Sequence, residues 1–387
     1  MSKASKNVNS LMDEIVAGLS EIKGITFNQE VDVVSTNLDL LDGVAGGGFP
    51  QGKLLLLAGA PGGGKSTLAG KIIASFQAAH PEALGFYIDG EQSMTMSRLT
   101  MLGCDKNRTL LMSQAITLEA VIKAFAHIIQ NKINSKQEKV PWVVVVDSET
   151  AIPTEKQLQS IDPTKTTGYK ARMLSHNIPA MMLQCTSYNV TLLMISQLKD
   201  KIEMGYVADM SGLKGLGNSI ITGGNTMKFM PFMVAMVRPV ENIDAEKFGF
   251  SGVVSEFKFI KNKQYIPHIK IELVLDYMKG YSDFWTKQRL VRKSKKLKGA
   301  GSYMYLPNYT EKKFRMREME ELYNTDERFR AAFEEIYQEC KVEALSQPEA
   351  DEIKNGIESD LIEEDSILSN LGEAETAQEE QPTLEVQ

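Results

Sequence analysis

Gly59-Ala-Pro61-Gly62-Gly63-Gly64-Lys65-Ser66-Thr67 fits the pattern of a phosphate loop. Phosphate oxygens need backbone N–H groups with no Cβ in the way, the positive end of a helix, a mobile ammonium and a hydroxyl for a divalent metal. Glycines at 59, 62, 63 and 64 supply the first, a helix opening near Ser66 the second, Lys65 the third and Ser66 the fourth. A glycine-rich turn that binds nothing is the alternative, but strand, loop and helix stand here in the order the chemistry requires. Metal-assisted nucleotide hydrolysis also needs a carboxylate. Asp147 ends the run Val143 to Val146, where it would hold the water shell of Mg²⁺ opposite Ser66; capping the next turn is its competing role. A base that orients water is offered by Ile88-Asp89-Gly90-Glu91, on a strand expected beside the phosphate loop, with Glu91 and Asp89 as competitors. Gln197 is polar at the end of a buried strand, placed to feel a γ-phosphate and pass that to the segment after it.

These groups need a scaffold, and the periodicity supplies one. Four leucines, 54 to 57, predict a strand buried on both faces. Helical spacing follows from Ser66 to Ala79, Met94 to Leu102, Leu118 to Ile133 and Tyr169 to Leu183. Strands are predicted over Leu84 to Ile88, Leu110 to Met112, Trp142 to Val146 and Thr191 to Ile195. This alternation predicts an α/β fold with a mostly parallel sheet, helices on both faces and active groups at the carboxyl ends of the strands. Lys199 to Gly224 has no sustained period and reads as a long functional loop. Strands over Met227 to Val237, Val253 to Ile260 and His268 to Leu275 lack helices between them, as an antiparallel extension would. Near the start, Leu11, Ile15, Val16, Leu19 and Ile22 share a helical face that needs its own core or a neighbouring subunit to pack on.

The 387 residues suffice for one large domain with attachments. No apolar leader-like core and no run of membrane-spanning length is present, which predicts a cytosolic protein. Cys104, Cys185 and Cys340 lack metal-ligand spacing and are expected to be buried thiols. The net charge of −7 is unevenly spread. Residues 349–387 hold 13 acids against Lys354, leaving +5 for the remainder, 42 basic residues against 37 acidic. A mildly basic body is compatible with a polyanion partner, and the acidic tail has a disorder-type composition. Lys287, Arg289, Arg292, Lys293, Lys295, Lys296 and Lys298 form a basic stretch that is either a gateway for duplex DNA or a solvated helix face.

The phosphate loop, Tyr87-Ile-Asp-Gly-Glu91, Val-Val-Val-Asp147-Ser148, Gly168-Tyr-Lys-Ala-Arg172-Met-Leu-Ser175, Ile195-Ser-Gln197, Thr222-Gly-Gly-Asn-Thr-Met-Lys-Phe229 and Lys261-Asn-Lys263 occur in one order. That order resembles the RecA-family recombinases, over roughly Ser35 to Glu343. The C-terminal Gly301-Ser-Tyr-Met-Tyr305 and the helix near Phe329 look most like the phage-type, UvsX-like branch.

The resemblance implies a RecA-like P-loop ATPase core over 35–278, preceded by an N-terminal helix and polymerisation segment (1–34). It is followed by a small C-terminal α/β domain (279–346) and an acidic tail (347–387). It implies ATP and Mg²⁺ as cofactors, single-stranded DNA and homologous duplex DNA as partners, and a homo-oligomeric helical filament with no membrane association. A single-strand-binding protein or a recombination mediator are candidate ligands of the tail. Glu91 matches the catalytic glutamate, and Gln197 the glutamine that senses the γ-phosphate. Lys261 and Lys263 match lysines that reach the nucleotide on a neighbouring subunit, and Phe229 an aromatic at that interface. Arg98 sits where relatives set a side chain against the adenine. Arg172 matches an arginine at the base of a first DNA-binding loop, about 155–167. Lys199, Gly223, Gly224 and Asn225 belong to a second, about 199–224, whose phosphate contacts would fix register without reading sequence. A hexameric helicase or ring motor on the same core is the alternative; it would carry an arginine finger in place of Lys261-Asn-Lys263.

Overall fold

The computed structural model describes residues 3–20, 30–114, 116–160, 168–200, 219–221, 224–300 and 303–346. The chain divides after Asp32. The first unit contributes one helix, α1 (Lys3–Ser20), on which Leu11, Met12 and Ile15 are exposed. It covers most of the stretch expected to be helical.

In the second unit, β1 (Val33–Val34), α2 (Asp39–Ala45) and β2 (Phe49–Pro50) lead into β3 (Leu54–Gly59). Strand and helix then alternate: α3 (Lys65–Ala79), β4 (Gly85–Asp89), α4 (Met96–Met101), β5 (Thr109–Ser113), α5 (Leu118–Asn134) and β6 (Trp142–Asp147). Next come α6 (Glu155–Gln159), α7 (Tyr169–Ser187), β7 (Val190–Asp200), β8 (Ser219–Ile221), α8 (Gly224–Phe229) and β9 (Met233–Ile243). After α9 (Ala245–Phe248) follow β10 (Gly252–Asn262), β11 (Lys270–Asp276), β12 (Gly280–Ser282) and α10 (Asp283–Lys293). The chain continues through β13 (Lys298–Ala300), β14 (Tyr303–Leu306), β15 (Tyr309–Phe314), α11 (Met319–Thr325) and α12 (Glu327–Leu345). Three helices begin where a side chain satisfies open N–H groups: Thr117 caps α5, Ser282 caps α10 and Asp326 caps α12.

The central sheet runs β12-β11-β10-β9-β3-β7-β6-β4-β5, with β8 attached to β7. From β9 to β5 neighbouring strands are parallel, and β10, β11 and β12 join antiparallel. This is the RecA-like α/β architecture the sequence predicts. Successive side chains of a strand face opposite ways, so a strand covered on both faces must be apolar throughout. Leu55 and Leu57 accordingly enter one core with Leu68, Ile72 and Phe76 of α3, while Leu54 and Leu56 enter another with Phe125 of α5 and Leu174 of α7. Each such leucine contributes about 1.5–3 kcal/mol. A third core gathers Phe284 and Trp285 of α10 with Phe314, Phe329 and Phe333. Cys104, Cys185 and Cys340 are buried thiols, and burial pushes Cys104 and Cys185 up to about 12. Among the described residues no helix is long and apolar enough to cross a membrane.

Several expectations need correction. Met227 to Phe229 are helical, and the strand begins at Met233. Pro231 ends that helix, since the residue before a proline is pushed out of the helical region. The long loop after Ile195 starts as a hairpin stem, because β7 continues to Asp200 and pairs with β8 through Leu198↔Ile221. The first expected DNA loop opens as α6, held by a Thr154/Gln157 capping box. β4 does not lie beside β3: α5 and α7 return the chain inward, and β6 and β7 fill the positions between.

Four residues of the basic stretch are ion-paired, while Arg292 and Lys295 are exposed. Lys287 pairs with Asp283 and Glu334, Arg289 with Glu241 and Glu272, Lys293 with Glu272, and Lys296 with Glu339 and Glu343. Apart from Asp283, one turn back on α10, the acids come from other strands and helices, which spacing along one helix cannot reveal.

One buried cation yields a prediction. Lys132 is fully buried, lies 4.3 Å over the Trp142 ring and donates to the Val140 carbonyl. Burial lowers its pKa to about 7, against a pull upward from Glu138. The unfolded chain therefore binds the extra proton between about pH 7 and the ordinary lysine value, and folding stability rises with pH across that window. Lys132→Met is expected to flatten this rise in denaturant titrations between pH 6.5 and 9.5; an unchanged slope excludes Lys132 as its source.

Candidate nucleotide site

The register of the parallel strands brings the site together. Gly59 of β3 stands level with Gln197 of β7, and Asp147 of β6 level with Asp89 of β4. Four strand ends thus form one carboxyl edge. The loop 60–64 leaves this edge and α3 begins at Lys65. Close approach demands glycine at Gly59, where a Cβ would sit 1.9 Å from the Val237 carbonyl oxygen of β9. Gly64 is a left-handed helix entry, φ +87°, with the Tyr281 hydroxyl 2.4 Å from where its Cβ would be. Pro61 and Gly62 are exposed at the tip, Gly63 is buried, and Ser66 and Thr67 are half-buried in the first turn of α3.

Lys65 folds back along the loop, donating to the Gly59 and Ala60 carbonyls at 3.0 and 2.8 Å. Burial lowers its pKa, against Asp147 and Glu91, which raise it. An ammonium held by two carbonyls is ready to exchange them for phosphate oxygens. Burial likewise raises the pKa of Asp147, opposed by the Ser66 and Tyr87 hydroxyls and reinforced by Glu91 and Asp89. The Tyr87 hydroxyl donates to Asp147 Oδ2 at 2.5 Å, whereas buried Oδ1 has no hydrogen-bond partner. A buried carboxylate oxygen left over beside Ser66 is what a hydrated Mg²⁺ would complete, so the donor set fits that ion.

Asp89 and Glu91 are held differently. Asp89 is buried and spends its carboxylate on the Glu91 and Met94 N–H groups at 3.1 and 2.7 Å, which shapes the turn after β4. Glu91 is half-buried, and its Oε1 accepts from Gln197 Nε2 at 2.7 Å. Arg98, in α4, donates to the Tyr277 and Met278 carbonyls at 2.8 and 3.2 Å. Its guanidinium is held beside the exposed Tyr277 ring-bearing segment between β11 and β12.

Lys261 and Lys263 are not brought to this edge. Lys261 pairs in register with Val234 of β9, and the Lys263 N–H donates to Phe232, whose N–H donates to Leu54 at the start of β3. At about 3.3 Å per residue, Lys263, level with Leu54, lies about 16 Å along the strand from Gly59, and Lys261, level through Val234 with Leu56, about 10 Å. Lys261 instead donates to the Phe229 carbonyl at the end of α8. Burial, with Lys263 adding, lowers its pKa to about 8. The Phe229 side chain is exposed. Arg172 is exposed in the first turns of α7, and Ser175 on the same helix bonds Thr226 of α8 at 2.6 Å. Lys199 lies in β7, and Gly224 and Asn225 open α8. Gly223 lies outside the described residues, as does the greater part of both expected DNA loops, 161–167 and 201–218.

Four contributors are not marked by the sequence pattern. Tyr87 holds Asp147, Tyr281 donates to the Gly63 carbonyl at 3.2 Å, and Tyr277 and Met278 hold Arg98. Each acts across strands or from far along the chain, and no local spacing marks it.

A family model described as the RecA N-terminal domain matches residues 14–282. Protein RecA of Mycoplasma mycoides is 29% identical over 261 residues, covering 67% of this chain and 70% of the relative. Protein RecA of Wolbachia sp. subsp. Brugia malayi is 28% identical over 277 residues, 71% of this chain and 72% of the relative. For Protein RecA of Mycoplasma genitalium the values are 26% over 255 residues, 66% and 69%. A match across more than half the chain, on the segment that builds the carboxyl-edge site, means that this chain belongs to the RecA family.

Proposed function

We propose that the protein is an ATP-dependent DNA recombinase: it polymerises on single-stranded DNA, pairs that strand with homologous duplex, and hydrolyses ATP to turn the filament over. The observation that carries this reading is the split of the candidate machinery between two edges of one sheet. Lys65, Ser66, Asp147, Glu91 and Gln197 share the carboxyl edge, while Lys261 and Lys263 stand at the other beside exposed Phe229. A site divided this way is completed by a second copy in head-to-tail contact, the kind of interface that builds helical filaments.

In this reading the loop amides and Lys65 bind the phosphates, and Glu91 orients and deprotonates the attacking water. Ser66 and, through water, Asp147 would hold Mg²⁺, whose chemistry would be the neutralisation of phosphate charge. Gln197 bonds Glu91 and stands at the head of the β7–β8 hairpin, so a change at the γ-phosphate reaches the second DNA segment through one side chain. Lys261 and Lys263 of an adjoining subunit add positive charge where negative charge grows. Exposed Leu11, Met12 and Ile15 suit α1 as the polymerisation arm. Arg172, Lys199, Gly223, Gly224 and Asn225 are assigned to the DNA strand. The relatives named above are bacterial, and the UvsX-like assignment rests on the sequence around Tyr303 and Phe329.

With ATP, a single-stranded oligonucleotide and labelled homologous duplex, the protein is expected to give joint molecules, and Lys65→Ala none. Pairing that ignores nucleotide overturns the reading.

A further inference from the structure

Two residues beyond Asp147 the chain carries another acid, Glu149, with no solvent exposure. A carboxylate so placed is strongly unfavourable unless it is paired and hydrogen-bonded. The cation comes from α7. Lys170, in the first turn of that helix, approaches Glu149 Oε2 to 3.4 Å and donates to the Glu149 and Ile152 carbonyls, the latter at 2.9 Å. Glu149 Oε1 accepts from the Ser196 hydroxyl at 3.2 Å and the Thr150 hydroxyl at 3.3 Å. Ser196 immediately precedes Gln197, and Thr150 Oγ1 accepts the Gln197 backbone N–H at 3.0 Å. The Gln197 side chain then reaches Glu91. One contiguous set of polar contacts thus joins the first turn of α7 to both backbone and side chain at the end of β7.

The contacts of this pair described above are to β7 and to the segment after β6, not to phosphate-loop residues. Packed apolar residues of similar volume are often at least as stabilising as a buried ion pair, so stability alone is a poor reason for it. Its geometry supplies another. Arg172, exposed two residues after Lys170, is on the same helical turn, so a strand gripped there loads the segment Lys170 anchors.

We propose that Lys170 and Glu149 are positioning residues that tie the DNA-facing start of α7 to the set of Gln197 on Glu91, and so make nucleotide turnover responsive to bound single-stranded DNA. This rests on the roles given to Gln197, Glu91 and Arg172 under the proposed function.

The test compares Lys170→Met, the double variant Lys170→Met/Glu149→Met and, in parallel, Gln197→Ala. ATP turnover is measured with a single-stranded oligonucleotide, kcat and KM separated, together with the affinity of DNA-free protein for a fluorescent ATP analogue. Lys170→Met is expected to lower DNA-stimulated kcat by about 3- to 30-fold, the range typical of coupling residues, with KM and analogue affinity changed less than about 2-fold. A merely structural role moves affinity and kcat together, and that result overturns the proposal. If the single variant fails to fold because it leaves a buried charge unpaired, the double variant decides: folded and still poorly stimulated supports the proposal, fully stimulated overturns it. Full stimulation in Gln197→Ala removes the proposed role of Gln197 and this proposal with it. Lost stimulation in Gln197→Ala with unchanged Lys170→Met overturns the pair alone.

Discussion

Glu91→Gln is expected to slow ATP hydrolysis by about 10²- to 10⁴-fold, the range for removing a positioned general base, while ATP-dependent filaments on single-stranded DNA still form and persist. The amide keeps the size of the side chain and an oxygen able to accept from Gln197 Nε2, which the carboxylate receives at 2.7 Å. It loses the ability to take a proton from water. Phosphate binding by the loop and Lys65, and the path from Gln197 to the β7–β8 hairpin, are left in place. Asp89 cannot substitute, because its carboxylate is buried and bound to the Glu91 and Met94 N–H groups. Turnover is read by phosphate release and filament persistence by electron microscopy. DNA binding lost in step with hydrolysis removes Glu91 from the role of base.

Mixing two dead proteins is expected to restore activity. Lys65→Ala removes the ammonium of the phosphate loop but leaves Lys261 and Lys263 intact; Lys261→Ala/Lys263→Ala does the reverse. Each alone should lack DNA-stimulated turnover. If adjoining subunits share the site, a protomer with a sound loop next to one with sound lysines forms a complete junction, and about a quarter of the junctions in an equal, random head-to-tail mixture are of this kind. Turnover of the mixture should approach that fraction of the unaltered protein. The basis is the separation along the strand direction from Gly59, about 16 Å for Lys263 and about 10 Å for Lys261, together with the Lys261 contact to the Phe229 carbonyl. A mixture no more active than its components means that each chain completes its own site.

Wherever the signal is local, the sequence was sufficient. Glycine positions, the Lys65-Ser66 pair and four consecutive leucines specify loop, helix entry and doubly covered strand, because backbone freedom and burial period are written in adjacent residues. The α/β alternation was legible for the same reason, and so was Asp147 at a strand end. Strand order was not. Nothing local says that β6 and β7 insert between β4 and β3, yet that insertion brings Gln197 beside Gly59 and within reach of Glu91, 106 residues earlier in the chain. The basic stretch 287–298, a gateway or a solvated face by sequence, has Lys287, Arg289, Lys293 and Lys296 paired with acids from β9, β11 and α12 that its own spacing does not show. The same is true of Lys261, which spacing could not assign to either end of the sheet; antiparallel entry of β10 sends it to the edge away from the phosphate loop. Charge pairing and register are properties of which strands become neighbours, and only the tertiary structure decides that.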